Sequence, residues 1–366
     1  MIRLCEPDIS DAEFQAVYEV LKTGYLVQGA RVRELEEKIE KYLHVQHAIA
    51  VSNGTAALHL ALIALKIGPG DEVIVPDFSF PATANVVELV GATPIFIDIN
   101  LETFNIDTEK IEAKISKNTK AIIPVHEFGL AANLDAINEI CEKYDLKIIE
   151  DAACALGTCY HKEFVGTKGD IGCFSLHPRK AITTGEGGII ATNKSEIASK
   201  LKILRNHGMY VKDNSIDFVL AGFNYRMTDI QGALGNTQMD KLDSIINRRR
   251  ELANLYFEGL SCNNNLLLPG MSRDNGHTYQ TYYVILNRKL NRDSVMRELR
   301  EQGIECNYGA YPLHSLSYYK QKYSYDASEF MNSLFAFGQG IALPLHSRLS
   351  DTDIEYVIDK VNLLTQ

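Results

Sequence analysis

Between about residue 46 and residue 195, short apolar runs alternate with amphipathic stretches, the pattern of a parallel sheet covered by helices. The runs predict strands at 47–52, 72–76, 94–99, 120–125, 146–150, 171–176 and 188–192. Between them, apolar residues recur at three- and four-residue spacing and predict helices over 55–66, 81–91, 107–115 and 133–144. The reading is an α/β fold, a mostly parallel seven-stranded sheet between helices. Further helical patterns cover 195–206 and, without a break, 227–259, the second long enough to bridge two domains. A boundary near residue 240 gives a large domain over 1–240 and a smaller C-terminal α+β domain over 241–366. In the smaller one the pattern predicts a strand at 280–287, a helix at 293–302 closed by Gly303, and a final helix at 350–364 with Ser350 as N-cap.

Composition narrows the function classes. The chain has 366 residues, 46% of them hydrophobic, enough for one large core and a smaller second one. Lys and Arg total 37 against 47 Asp and Glu, a net charge of -10, and no basic run could neutralise a series of phosphates, so no nucleic acid is expected as partner. The start, MIRLCEPDIS, carries acidic residues where a secretory signal needs apolar ones, and no run approaches the roughly 20 apolar residues of a membrane span. A cytoplasmic protein with no membrane partner is expected. The cysteines at 5, 141, 154, 159, 173, 262 and 306 form no Cys-x-x-Cys pair, so they read as reduced thiols in or near the core, with neither a disulfide framework nor a metal site.

Three fragments carry candidate chemistry. In IIEDAACALG, Glu150 and Asp151 close a β-branched run at the carboxyl end of a buried strand, where ligands of open α/β sheets bind. Alone, Asp151 could equally cap a turn. In GCFSLHPRKAITTGEGG, Lys180 lies in a loop after a strand, where partial desolvation lowers an amine's pKa toward nucleophilic use. Alone it reads as a surface lysine. In SNGTAALHLAL, Gly54, Thr55 and Ala56 sit at a strand-to-helix turn whose N–H groups suit a phosphate, or where Ser52 or Asn53 simply caps the helix. Ser175 can add a hydroxyl, and Phe80, in PDFSFPATAN, can lie against a ring face. Together they supply what pyridoxal 5'-phosphate (PLP) needs: an anion cradle, a lysine for the aldehyde, and a carboxylate that keeps the ring nitrogen protonated so that the ring accepts electrons.

The motifs run nearly end to end: GYLVQGARVRELEEKIEKYL, SNGTAALHLAL, GDEVIVPDFSFPATAN, IIEDAACALG, CFSLHPRKAITTGEGG, LRNHGM, GFNYRMTDIQGALG and ALPLHSRLSDTDIEYVI. In number, order and spacing they resemble the DegT/StrS nucleotide-sugar aminotransferases, members of PLP fold type I, which are aspartate aminotransferase-like. The resemblance implies that Lys180 carries the cofactor and moves a proton, that Asp151 pairs with the ring nitrogen, that Phe80 stacks on the ring, and that Thr55, Ala56 and Ser175 hold the phosphate. It also implies that Asn224 reaches the phosphate of a neighbouring subunit, hence a homodimer with a shared active site. Three positions depart from the family's pattern: Cys154 where Gln, His or Glu is frequent, Leu176 for Phe, and Lys168 for an apolar residue.

What the resemblance implies for activity is a ping-pong transamination in which L-glutamate leaves as 2-oxoglutarate and a nucleotide-linked 4-keto-6-deoxyhexose leaves as an amino sugar for a surface glycan such as lipopolysaccharide. Lys180 argues against the sugar dehydratases among the relatives, which carry histidine there, and TTGEGG at 183–188 favours C-4 over C-3. A keto sugar reacting at C-3 or a keto cyclitol is the alternative. A non-catalytic PLP-bound protein is disfavoured by the joint presence of lysine, aspartate and cradle. A dinucleotide oxidoreductase is disfavoured because no Gly-x-Gly-x-x-Gly fingerprint or P-loop occurs. Arg31, Arg33, Arg226 and His314 lie in segments that could receive the nucleotide's diphosphate, although exposed Arg and His usually contact only solvent or a carboxylate.

Overall fold

The runs of Ile, Val and Ala read as strands pair into one sheet because each is apolar on both faces and needs cover on both. A computed structural model describes residues 1–213, 215–270 and 276–366. Its seven-stranded sheet runs His47–Val51, Gly188–Thr192, Ile171–Ser175, Lys147–Asp151, Thr119–Ile122, Glu72–Pro76, Thr93–Ile97 from edge to edge. Gly188–Thr192 is antiparallel to both its neighbours. All other pairings are parallel. The six strands other than Gly188–Thr192 therefore end at one edge of the sheet, the place where open α/β sheets take their ligands. Beneath that edge lies the helix Gly54–Ala64, buried through Ala57, Leu58, Leu60, Ala61 and Leu62 because it packs between the sheet and other helices.

A second, antiparallel sheet joins Leu266–Leu267, Tyr282–Leu286 and Gly340–Leu343. The helices Leu242–Leu260, Arg292–Glu301 and Asp351–Thr365 close a separate core on it around Leu252, Tyr256, Leu299 and Val357. Gly303, at φ 77, follows the middle helix as expected, and Ser350 caps the last one, its side chain accepting from Asp353 N. The first residues of the chain join this core: Ile2 N donates to Gly303 O at 2.7 Å and Leu345 N to Leu4 O at 3.2 Å.

Several elements differ from expectation. The stretch 107–115 forms two short 3-10 turns, Thr108–Lys110 and Glu112–Lys114, hinged at the fully buried Ile111. The pattern over 227–259 is broken into Asp229–Met239 and Leu242–Leu260. At the break the Lys241 ammonium reaches out to Asp8 and Glu13, a tertiary contact that amphipathic periodicity does not report. Two helices before residue 46, Asp11–Thr23 and Ala30–Leu43, were not anticipated. All seven cysteines are free thiols, but Cys262 is exposed rather than in or near the core. No helix among the described residues is long and apolar enough to cross a membrane.

Candidate active site

Asp151 ends its strand at the shared edge, and alternation along that strand sends it and Glu150 to opposite faces. Glu150 is consumed by structure. It accepts from Gly166 N, Lys168 N and Gly169 N, each at 2.7 Å, and lies 3.0 Å from His126 Nε2. Because His126 Nδ1 accepts from Ala132 N, its Nε2 bears the hydrogen that points to Glu150. Burial alone would raise the Glu150 pKa, yet His126 and the loop amides bring it below the ordinary carboxylate value. Asp151 is the opposite case. It is buried, and among the described residues its side chain accepts from two donors, Thr83 Oγ1 at 2.8 Å and Ala153 N at 3.1 Å. Burial pushes its pKa up, and the pull of Thr83, Ala153 and Lys180 does not cancel that. Two used sites out of roughly four leave it able to accept a further, preferably cationic, donor.

Lys180 lies in the loop after Ile171–Ser175 with its Nζ 3.0 Å from Cys154 Sγ. Burial lowers its pKa as the sequence suggests, but Cys154, Asp151 and Glu127 outweigh burial and the net shift is upward. The expectation of an amine depressed by desolvation is thus corrected: in the chain alone, the acids around Lys180 keep it charged. The small sheet's approach holds the loop from outside, with Gln280 Nε2 donating to Arg179 O at 2.9 Å.

The expected anion cradle stands at the same edge. Gly54 opens its helix so close to Ser175 that a methyl on it would sit 3.0 Å from Ser175 Cβ and 3.3 Å from Oγ. Gly54 and Thr55 lie in the first turn, whose N–H groups have no acceptor within the helix. The Ala56 N–H, counted in the cradle from the sequence, donates to Asn53 Oδ1 at 2.8 Å, so the cap uses that donor. Ser175 Oγ accepts from His177 N at 3.3 Å and keeps its own hydrogen to give. Phe80 is 66% exposed just before the helix Ala82–Leu89 that carries Thr83, an apolar face open to a flat ligand.

The remaining candidates are engaged by contacts of their own. Asn224 is exposed on a loop anchored by Tyr225 O, which accepts from Ser52 N at 2.8 Å. Arg31 pairs with Glu34 at 3.0 Å, and Arg226 NH1 donates to Asn206 Oδ1 at 2.7 Å. Arg33 approaches Glu37 at 3.9 Å. His314, expected among possible anion receivers, is buried, with Nδ1 2.7 Å from Asp77 Oδ2 and its ring 4.4 Å from that of Phe330. Of the departures, Lys168 is paired with Glu163, Leu176 is core, and Cys154 faces Lys180.

Two residues of the site were missed. Thr83, which orients Asp151 and is itself 3.2 Å from Ser79 Oγ, gives no sequence signal beyond lying in FSFPATAN. Glu127 ends an apolar run in PVHEFG, the same signal that found Asp151, and it is buried and electrostatically linked to Lys180 and Asp151. The donor set fits PLP on its chemistry: a buried acid with lone pairs to spare, a lysine on the same edge, a helix opening beside a serine hydroxyl, and an exposed aromatic face.

Comparison with known proteins gives the same class. The model of the DegT/DnrJ/EryC1/StrS aminotransferase family matches residues 7–362. GDP-perosamine synthase of Caulobacter vibrioides is 39% identical over 362 residues, covering 98% of this chain and 96% of the relative. Helicobacter pylori PseC, an aminotransferase involved in the biosynthesis of pseudoaminic acid, superposes with a TM-score of 0.94 at 29% identity, covering 100% of this chain and 99% of that one. A Streptococcus pneumoniae protein described as a sugar aminotransferase, solved in its PLP form, superposes with a TM-score of 0.94 at 30% identity, covering 100% and 98%.

Proposed function

The chain belongs to the DegT/DnrJ/EryC1/StrS aminotransferase family and is a PLP-dependent sugar aminotransferase acting on a nucleotide-linked sugar; from that premise we propose that it moves an amino group from L-glutamate to the C-4 keto carbon of a nucleotide-linked 4-keto-6-deoxyhexose. The observation that carries the residue assignment is the meeting of Lys180, Asp151 and the Gly54–Ser175 contact at one sheet edge. The C-4 reading is supported by TTGEGG at 183–188 and by the relative called GDP-perosamine synthase, a name that describes a nucleotide-linked amino sugar.

When bound, PLP supplies an aldehyde for amine exchange and a cationic ring that takes up electrons. The protein's own work is then positional and electrostatic. Asp151, fixed by Thr83 Oγ1 and Ala153 N, offers a buried negative charge to the ring nitrogen. Gly54, Thr55 and Ser175 receive the phosphate, and Phe80 covers a ring face. Lys180 holds the cofactor at rest and, when released, carries a proton on Nζ between donor and acceptor carbons. Asn224, exposed in the single chain, is assigned to a neighbouring subunit's phosphate in a homodimer.

The test is an assay of 2-oxoglutarate release from L-glutamate with a panel of C-4 keto sugars, C-3 keto sugars and keto cyclitols. Turnover is expected with a C-4 keto sugar only. Lys180→Ala should lose the visible band of the bound cofactor and at least about 10²–10⁴-fold of the rate; full turnover by that variant contradicts the assignment.

A further inference from the structure

Glu127 is a buried acid at this edge that the scheme above leaves without a task. It follows an extended stretch whose Val125 bridges Asp151 and whose His126 N donates to Asp151 O at 3.0 Å. Its own N–H donates to Asn105 Oδ1 at 2.8 Å. The next residue, Phe128, has φ 55, a left-handed conformation that is uncommon for a bulky side chain. Its ring is held against Phe78, Phe104 and Tyr283. Gly129 follows at φ 91, so near residue 154 that a methyl there would lie 3.2 Å from Cys154 O. The turn is thus wedged between Asp151 and Cys154, the residues that also act on Lys180, and Glu127 is 5% exposed. A conformation of this kind persists where the surroundings enforce it, often at functional sites.

We propose that Glu127 is a positioning residue of the Lys180 site, its carboxyl sharing the buried charge and holding the proton on the lysine nitrogen. The inference rests on Lys180 being the cofactor-bearing lysine. Lys180 and the Phe128 N–H favour the charged form of this carboxyl and Asp151 opposes it, while the nearby Cys154 thiol and Tyr283 phenol are kept in their uncharged forms by burial. Burial dominates and pushes Glu127 up to about 8, with Lys180 drawing it down and Asp151 pushing it up. Below that pH the group is neutral and lends Lys180 no charge. Above it, an anion stands near Lys180, and an opposite charge at close range raises a nitrogen's proton affinity by roughly one to three pH units.

The test uses the PLP-bound full chain. Borohydride reduction and peptide mapping first locate the cofactor-bearing lysine, and the absorption of the bound cofactor is then followed against pH in the wild type, Glu127→Gln and Glu127→Asp. The effect belongs to the range above about pH 8, where the Glu127 carboxyl is ionised, and there the wild type should hold the lysine-nitrogen proton more firmly than the uncharged variants do. Glu127→Gln should release it about one pH unit lower, and Glu127→Asp should stay near the wild type. Glu127→Met, uncharged and of similar bulk, must reproduce the fall if Glu127→Gln does not fold. Equal midpoints in wild type and uncharged variant overturn the inference while leaving a label on Lys180 intact. A label on another lysine overturns both.

Discussion

At the residue scale, the site is a contest between burial and a few hydrogen bonds. Asp151 keeps a net upward shift because two donors do not repay its loss of water. Glu150, one position earlier and equally buried, is brought down by three amides and His126. Thr83→Val removes one of the two Asp151 donors without changing side-chain shape, which should cost about 1–3 kcal/mol of cofactor binding, or roughly fivefold to 150-fold in PLP Kd. Equal PLP titrations of variant and wild type would contradict this role. Lys180 and Asp151 were legible in the sequence because each lies where a strand runs into a loop at the ligand edge. Thr83 was not, since a threonine early in a helix looks the same whether or not a buried acid stands opposite it. Glu127 carried the legible signal of an acid closing an apolar run, but only the turn at Phe128 brings it into the site.

At the scale of elements, periodicity located each strand of the main sheet to within three residues because apolar runs on doubly covered strands are unambiguous. It failed where tertiary contacts decide. The 3-10 turns of 108–114 pivot on one buried isoleucine, and the pair of helices Asp229–Met239 and Leu242–Leu260 breaks where Lys241 is drawn to Asp8 and Glu13. Ser10 and Glu13 formed a legible capping box, the start signal of the unanticipated helix Asp11–Thr23. The strand-to-helix turn at Gly54 was read correctly as a turn, but its closeness to Ser175 belongs to the paired strands and not to local sequence. Gly54→Ala adds a methyl into that contact. PLP affinity should fall about tenfold while the melting temperature of the cofactor-free protein stays near wild type, since the added group crowds a rim and not the core. A variant that binds PLP normally would remove the Gly54–Ser175 contact from the cradle.

At the scale of the whole molecule, the single chain leaves large apolar side chains in water on two sequence segments. Phe14, Tyr25, Val27, Ile216 and Phe218 are each more than half exposed, the last two on the hairpin of Met209–Lys212 and Ser215–Phe218 that leads into the Asn224 loop. Apolar surface of this kind marks association sites, and it supports the proposed homodimer. Phe218→Asp should shift the sedimenting species from dimer toward monomer and, because Asn224 then loses the neighbour it serves, weaken PLP retention as well; dimers that persist at low micromolar concentration would contradict that use of the hairpin. The proposed chemistry depends on one ring being gripped from two sides by this chain. A crystal structure of the PLP-bound protein tests it most directly. The predicted result is a covalent link at Lys180 with the ring nitrogen about 2.6–3.2 Å from an Asp151 carboxylate oxygen; a link at another lysine, or a ring nitrogen turned toward a group other than Asp151, would contradict it.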